Sequence, residues 1–370
     1  MPGRAAWQDS WVIDPWRFVD ADDDLVADFL AGTVETVLEL GGWLHPGLTI
    51  VAREGHIRLQ VDPDIAEGEC AVVVPSAAYV PISRVLWSPS DEGLEVDGLI
   101  DELTPEQTEL LILQVALHNS CGKIPALVDE HPALSRHLSD DMTEAVRAFR
   151  PSFRAAFPSA AELFWSNRVF RLPIAAGRPP EPVAVPIIDL FDHMCGGATA
   201  QSLDDAFVVN ISRPSPSSEC FLDYGQERDS IGMAVVYGFA DASNPRAHSA
   251  PMTVDVPRVG IVEIKARGRS RSGELLAPIV SKTPHGFTIS HLTFRADDPA
   301  RPSRELLQAS AWSPEQVDAV VRAVNERNRD LVGRLMNLTR KSVSIAAVTL
   351  LEAARAQDTT LLGLSPHNQG

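Results

Sequence analysis

The chain has 370 residues, 45% hydrophobic and 22% charged, with 32 Lys and Arg against 50 Asp and Glu for a net charge of −18. This length exceeds one typical domain, and the composition excludes a disordered or fibrous chain. The acidic balance argues against a dedicated nucleic-acid binder, which needs positive surface to displace phosphate counterions, and permits a basic peptide or a cationic small molecule as partner.

The opening MPGRAAWQDSWVIDPW lacks the apolar run of a signal peptide, so none is expected. No stretch reaches the ~18 apolar residues of a membrane span, so no membrane partner is expected. Cys70, Cys121, Cys195 and Cys220 are scattered and form no C-x-x-C pair. Neither a zinc site nor a disulfide framework is expected, and a reducing, cytoplasmic setting is.

In chain order, residues 47–62 (GLTIVAREGHIRLQVD) and 70–75 (CAVVVP) read as short strands rich in β-branched residues, with the turn DIAEGE between them. Thr104-Pro-Glu-Gln107 is a capping box with Pro at the first helical position, followed by the apolar run LLILQVAL. Ser139 precedes a second helix, with Met142, Ala145, Val146 and Phe149 on one face. Ser159-Ala-Ala-Glu162 opens a third, leading into LFWSNRVF, so 100–172 reads as a helical block.

The Pro-rich connector RLPIAAGRPPEPVAVP follows, and VAVPIIDLF, DAFVVNIS and SECFLDYG read as strands. MAVVYGF is an apolar run ending in Gly-Phe. Residues 252–265 and 286–294 are strand-like again. Ser313-Pro-Glu-Gln316 repeats the capping box with Pro, and Val317, Val320, Val321, Val324, Leu331, Val332 and Leu335 hold one face of the helix behind it. SIAAVTLLEAARA continues as another helix, and the last ten residues read as frayed. The order predicts an α+β fold with at least two domains.

There is no P-loop, no G-x-G-x-x-G, no H-E-x-x-H and no G-x-S-x-G, and the ten histidines show no metal spacing, so no metal is expected. Asp62, Asp64, Glu67 and Glu69 read as solvated turn charges. The only tyrosines are Tyr79, Tyr224 and Tyr237, the last two each followed by Gly. By themselves they fit half-buried aromatics that close strands or turns.

Taken together with their neighbours, these residues resemble the core of a SET domain, in the Rubisco large-subunit methyltransferase branch. That branch shows D-x-x-N-H, then a tyrosine, then Tyr-Gly-Phe. Here they read Asp189-Leu-Phe-Asp192-His193, Tyr224 and Tyr237-Gly238-Phe239. An arginine of a helix resembling SRAF falls at Arg168 in SNRVF, and the N-terminal pattern is matched by Leu59, Asp64-Ile65, Gly68-Glu69 and Val74-Pro75. The resemblance spans nearly the whole chain. Two departures fall on the cofactor pocket. The family's G-x-G reads His56-Ile57-Arg58, and Asp192 replaces the Asn of N-H, so its side chain can accept but not donate. The insert also lacks an aromatic-rich helix start.

The resemblance implies a SET-domain β-fold with a helical insert and a C-terminal, mainly helical substrate-binding domain. In residue numbers it implies an N-terminal segment 1–39, a SET core of 40–100 and 165–242, an insert 101–164, and a C-terminal domain 243–370. It implies S-adenosyl-L-methionine as cofactor and N-methyl transfer to a protein, peptide or small-molecule amine. Tyr224 and Tyr237 take the catalytic positions, and Arg168, Asp192, His193 and Arg58 the cofactor-binding ones. Arg168 would take the cofactor carboxylate, which a guanidinium matches bidentately. His193 also reads as a packed structural residue. Two alternatives stay open: SET-like chemistry on a small metabolite, and a silent binding module that keeps the fold.

Overall fold

The computed structural model describes residues 14–136, 138–153, 159–174, 177–203, 205–212, 218–224, 228–265 and 276–363. The signal-peptide reading of residues 1–13 lies outside them; of the last ten residues expected to fray, 364–370 lie outside them and Leu361 and Leu362 are helical. The fold is mixed α+β, as the element order predicts. The chain divides into two compact units, Met1–Ala126 with Pro158–Tyr224, and Leu127–Phe157 with Gly225–Gly370. The stretch 101–164, expected as one insert, is thereby shared between them.

In the first unit, β1 (Val19–Ala21) leads into α1 (Asp24–Glu39), whose N-cap Asp23 accepts from the amides of Leu25 and Val26. β2 (Trp43–Leu44) is followed by the hairpin of β3 (Leu48–Arg53) and β4 (His56–Val61). The two-residue turn between these strands puts Glu54 at φ 51° and Gly55 at φ 76°. Such a turn needs two left-handed residues, and glycine supplies one without strain. The hairpin therefore uses the conformational freedom of Gly55. β5 (Cys70–Pro75) lies as expected, and β6 (Val85–Trp87) pairs with β7 (Val96–Leu99).

α2 (Pro105–Ser120) begins at the predicted capping box, with Thr104 and Gln107 each bonding the other's backbone amide. Thr104→Ala should lower stability by ~1 kcal/mol, read as a shift of the urea midpoint at unchanged slope. α3 (Lys123–Glu130) leads into the second unit, which holds α4 (Asp140–Arg147) with the predicted Ser139 cap. Back in the first unit, α5 (Ala160–Ser166) ends two residues before Arg168, and Val169–Leu172 is β8, a strand where a helix was expected. Phe170 and Leu172 gain more here as members of a ladder with β9 (Glu181–Ala184) than as a helical extension past the Asn167 cap.

β10 (Asp192–Ala198), β11 (Gln201–Leu203), β12 (Ala206–Asn210) and β13 (Phe221–Leu222) complete this unit. The strands order as β1-β3-β4 and β11-β12-β5-β2, and β10 runs parallel to β13. Glu219 bridges to Gln60 of β4. The expected strand VAVPIIDLF stops at Ala184. Pro186 cannot donate to a ladder, and a 3-10 turn, Ile188–Leu190, follows.

In the second unit the apolar run ahead of Tyr237 is α6 (Ser230–Tyr237), capped by Asp229 and ended by Gly238 at φ 83°. β14 (Arg246–His248) pairs with a later strand, and β15 (Met252–Val256) and β16 (Gly260–Ile264) form a hairpin in the strand-like stretch 252–265. β17 (Val280–Thr283), β18 (Gly286–Ile289) and β19 (Thr293–Arg295) follow, the last pairing with β14. α7 (Arg301–Ala309), α8 (Pro314–Thr339) and α9 (Ile345–Leu362) close the chain. The predicted stripe of α8 is buried at Val317, Val320, Val324, Val332 and Leu335, in one core with Ala347, Leu350 and Ala354 of α9 and Val262, Ile264 and Ile289 of the sheet.

Candidate functional site

The 3-10 turn that carries Asp189 follows Ile187, which sits at φ 71° and ψ −40° and is fully buried. A β-branched residue there is strained, and such strain persists only where the surrounding packing fixes it. The chain thereby delivers Asp189 inward and the Phe191 carbonyl toward Tyr224. The Tyr224 hydroxyl donates to that carbonyl at 2.5 Å. The hydroxyl thus has one fixed backbone acceptor, and toward any other group its oxygen can only accept. The ring of His193, at the start of β10, packs tilted against the Tyr224 ring at 5.0 Å, and its Nδ1 lies 3.0 Å from the Tyr224 amide, which donates to it, and 3.2 Å from the Leu222 carbonyl. His193 therefore holds the strand that presents Tyr224.

Arg168 lies in the turn after α5, not in the helix the sequence suggested, and its amide bonds the Trp165 carbonyl at 2.9 Å. Its guanidinium sits 4.0 Å above the Phe164 ring. Among the described residues it makes no hydrogen bond or ion pair. Burial lowers its pKa from the ordinary arginine value, opposed by the nearby Tyr224, Asp189 and Asp192. The ring of His118 from α2 also lies edge-on to Phe164, at 4.8 Å, and His118 Nε2 is 3.2 Å from Asp189 Oδ2. Both side chains are almost fully buried, at 2% and 1% exposure. Burial pushes the imidazole below its ordinary value, against the Asp189 bond. At neutral pH it is the uncharged ring that donates to a carboxylate. Among the described residues, His118 Nδ1, Asp189 Oδ1, Trp165 Nε1 and both amide atoms of Gln114, one turn earlier on α2, have no hydrogen-bond partner.

Asp192 is exposed at the edge of β10, and its carboxyl is hydrogen-bonded to that of Glu219. The Glu219 carboxyl is held above its ordinary value, first by burial and then by the charge and bond of Asp192, while Arg58 of β4 works the other way. Arg58 and Asp192, read separately in the sequence, are thus joined by a carboxylate that no pattern marked. Tyr237 belongs to the second unit. There it stacks with Phe239 at 6.1 Å and lies under the Arg228 guanidinium at 5.1 Å.

Five of the six expected site residues fall in the first unit, in two neighbourhoods: Arg168, Tyr224 and His193, and Arg58 with Asp192. Sequence reasoning missed His118 and Glu219. His118 carried one signal, a histidine one turn after Gln114 in the otherwise apolar LLILQVALH. Glu219 carried none, since its partners come from strands far apart in sequence. Groups of His, Cys, Asp and Glu able to hold a metal ion are absent among the described residues.

No protein-family model and no curated protein matches the chain. Among solved structures it is similar to the SET domain of LSMT bound to lysine and AdoHcy, at TM-score 0.45 and 11% identity, over 91% of this chain and 90% of that one. It is similar to the same domain bound to methyllysine and AdoHcy, at TM-score 0.44 and 13% identity, over 92% and 90%. Rubisco LSMT bound to AdoMet matches at TM-score 0.42 and 11% identity, over 90% and 89%.

Proposed function

We propose that the chain is a SET-type N-methyltransferase that uses S-adenosylmethionine to methylate a protein or peptide side-chain amine. The observation that carries this reading is the open Arg168 guanidinium in the electrostatic range of Tyr224, whose hydroxyl is fixed on the Phe191 carbonyl. A desolvated cation without a carboxylate partner fits the carboxylate end of the cofactor. The Asp192–Glu219 pair supplies acceptors for an adenine amino group. When bound, the cofactor supplies an activated methyl on a sulfonium.

The chain's own part is alignment. Methyl transfer is an in-line displacement, so the amine must arrive neutral with its lone pair on the sulfur–carbon axis. Burial lowers an amine's pKa, so no strong base is required. With its proton given to Phe191, the Tyr224 oxygen can only accept, which suits an amine N–H. Tyr237, the last residue of α6, is the proposed second catalytic residue, and 243–370 the proposed substrate-binding domain.

Calorimetry with S-adenosylmethionine tests the reading, and mass spectrometry of the incubated mixture follows it. Arg168→Ala should weaken binding by ~1.5–3 kcal/mol, the scale of a hydrogen bond to a charged group. Absence of heat from the wild-type chain at millimolar ligand would sink the proposal. A second reading, altered chemistry on a small metabolite, is favoured by Arg58, which stands half-buried on β4 where the resembled family has glycine. The product mass separates the two.

A further inference from the structure

We propose that His118 is a positioning residue for the Arg168 site: by holding Asp189 through Nε2 it keeps that carboxylate off the guanidinium, and Arg168 stays open to an anion from outside. This rests on the cofactor reading above for the identity of the anion.

The geometry is a chain of contacts within one unit. Arg168 stacks on one face of Phe164, His118 packs edge-on against the same ring, and His118 binds Asp189 at 3.2 Å. Asp189 and Arg168 are within electrostatic range but beyond ion-pair contact. A buried carboxylate seeks whatever donor it can reach, because leaving it uncompensated is severely destabilising. Asp189 has one oxygen on His118, and the other has no partner among the described residues. The charged groups around His118 are Asp189, Arg168 and Lys123. Without the imidazole, the Asp189 carboxylate has Arg168 as its cation, and an incoming carboxylate would have to displace it. The strained backbone at Ile187 limits how far the turn can move, so the side chain of Asp189 makes the switch. His118 thus decides whether the guanidinium is spent on the protein or kept for a ligand.

The test is a double-mutant cycle read by calorimetry with S-adenosylhomocysteine on the full chain, together with a crystal structure of the His118→Leu variant. His118→Leu should weaken binding about tenfold, a coupling of ordinary size between neighbours. Asp189→Asn, which removes the competing charge, should bind at least as tightly as the wild type. In the Asp189→Asn background, His118→Leu should change the affinity by less than about threefold. In the crystal structure of His118→Leu, Asp189 should contact the guanidinium. An equal tenfold loss in both backgrounds would overturn the proposal, because His118 would then act through packing alone. If His118→Leu does not fold, the Asp189→Asn pair still decides. If the wild type binds no ligand, the cofactor reading fails and the crystal structure decides the inference: an Asp189 that stays in place refutes it.

Discussion

Tyr224→Phe is expected to lower methyl transfer by about 10²-fold or more, the loss typical of one positioned polar group removed from a transition state. The ring stays, and with it the packing against His193. What goes is the oxygen that the Phe191 carbonyl fixes in place. Because that carbonyl loses its donor, the variant should also unfold slightly more easily, by ~0.5–1.5 kcal/mol, or a few degrees in melting temperature. Formation of S-adenosylhomocysteine in the presence of the amine, measured on the same preparation as the melting curve, separates the two effects. Normal turnover with a small melting shift would leave Tyr224 a purely structural residue.

Asp229→Ala should destabilise the second unit by ~3–5 kcal/mol, the cost of breaking a buried charge pair from one side. Asp229 Oδ1 accepts from the Gly232 amide at 2.8 Å and from Arg150 at 3.2 Å, and Oδ2 from the His248 amide at 3.0 Å. One side chain therefore caps α6, pairs with Arg150, three residues beyond α4, and ties in β14. Typical total stabilities are ~5–15 kcal/mol, so the loss would leave a large unfolded fraction. Asp229→Asn keeps one acceptor and should lose less. Urea denaturation of both variants measures this, and a loss under ~1 kcal/mol in Asp229→Ala would show the network to be dispensable.

The same carboxylate sets a pH dependence. Burial tends to raise its pKa, but Arg150, His248 and the two backbone amides outweigh it, so the folded value lies below the unfolded one. A depressed carboxyl contributes stability that is fully present above the unfolded value, ~3.9, and is lost as pH falls through the folded value. Wild-type stability should therefore decline in acid with a component that Asp229→Asn lacks. Equal acid sensitivity of the two chains would assign that decline to other carboxylates.

What the sequence determined by itself was local. The capping boxes at Thr104 and Ser313 fixed where α2 and α8 begin, because each rests on bonds within four residues. Glu54-Gly55 fixed the β3–β4 hairpin, and the valine stripe fixed which face of α8 is buried. The order of Asp189, Tyr224 and Tyr237 was visible because it is a matter of spacing. Tertiary structure decided everything that joins distant segments. An apolar run without period became helix α6 because Asp229 caps it, Gly238 ends it, and the core around it covers nearly every side. Arg168 left its helix because Val169–Leu172 found a partner strand in β9. Glu219 reached Asp192 and Arg58 only through strand pairing. His118 met Asp189, 71 positions away, only because both were driven from water into the same core. A sequence records each residue's chemistry, but a charge's partner is chosen by burial, which forces it onto whichever donor or acceptor the fold brings within reach.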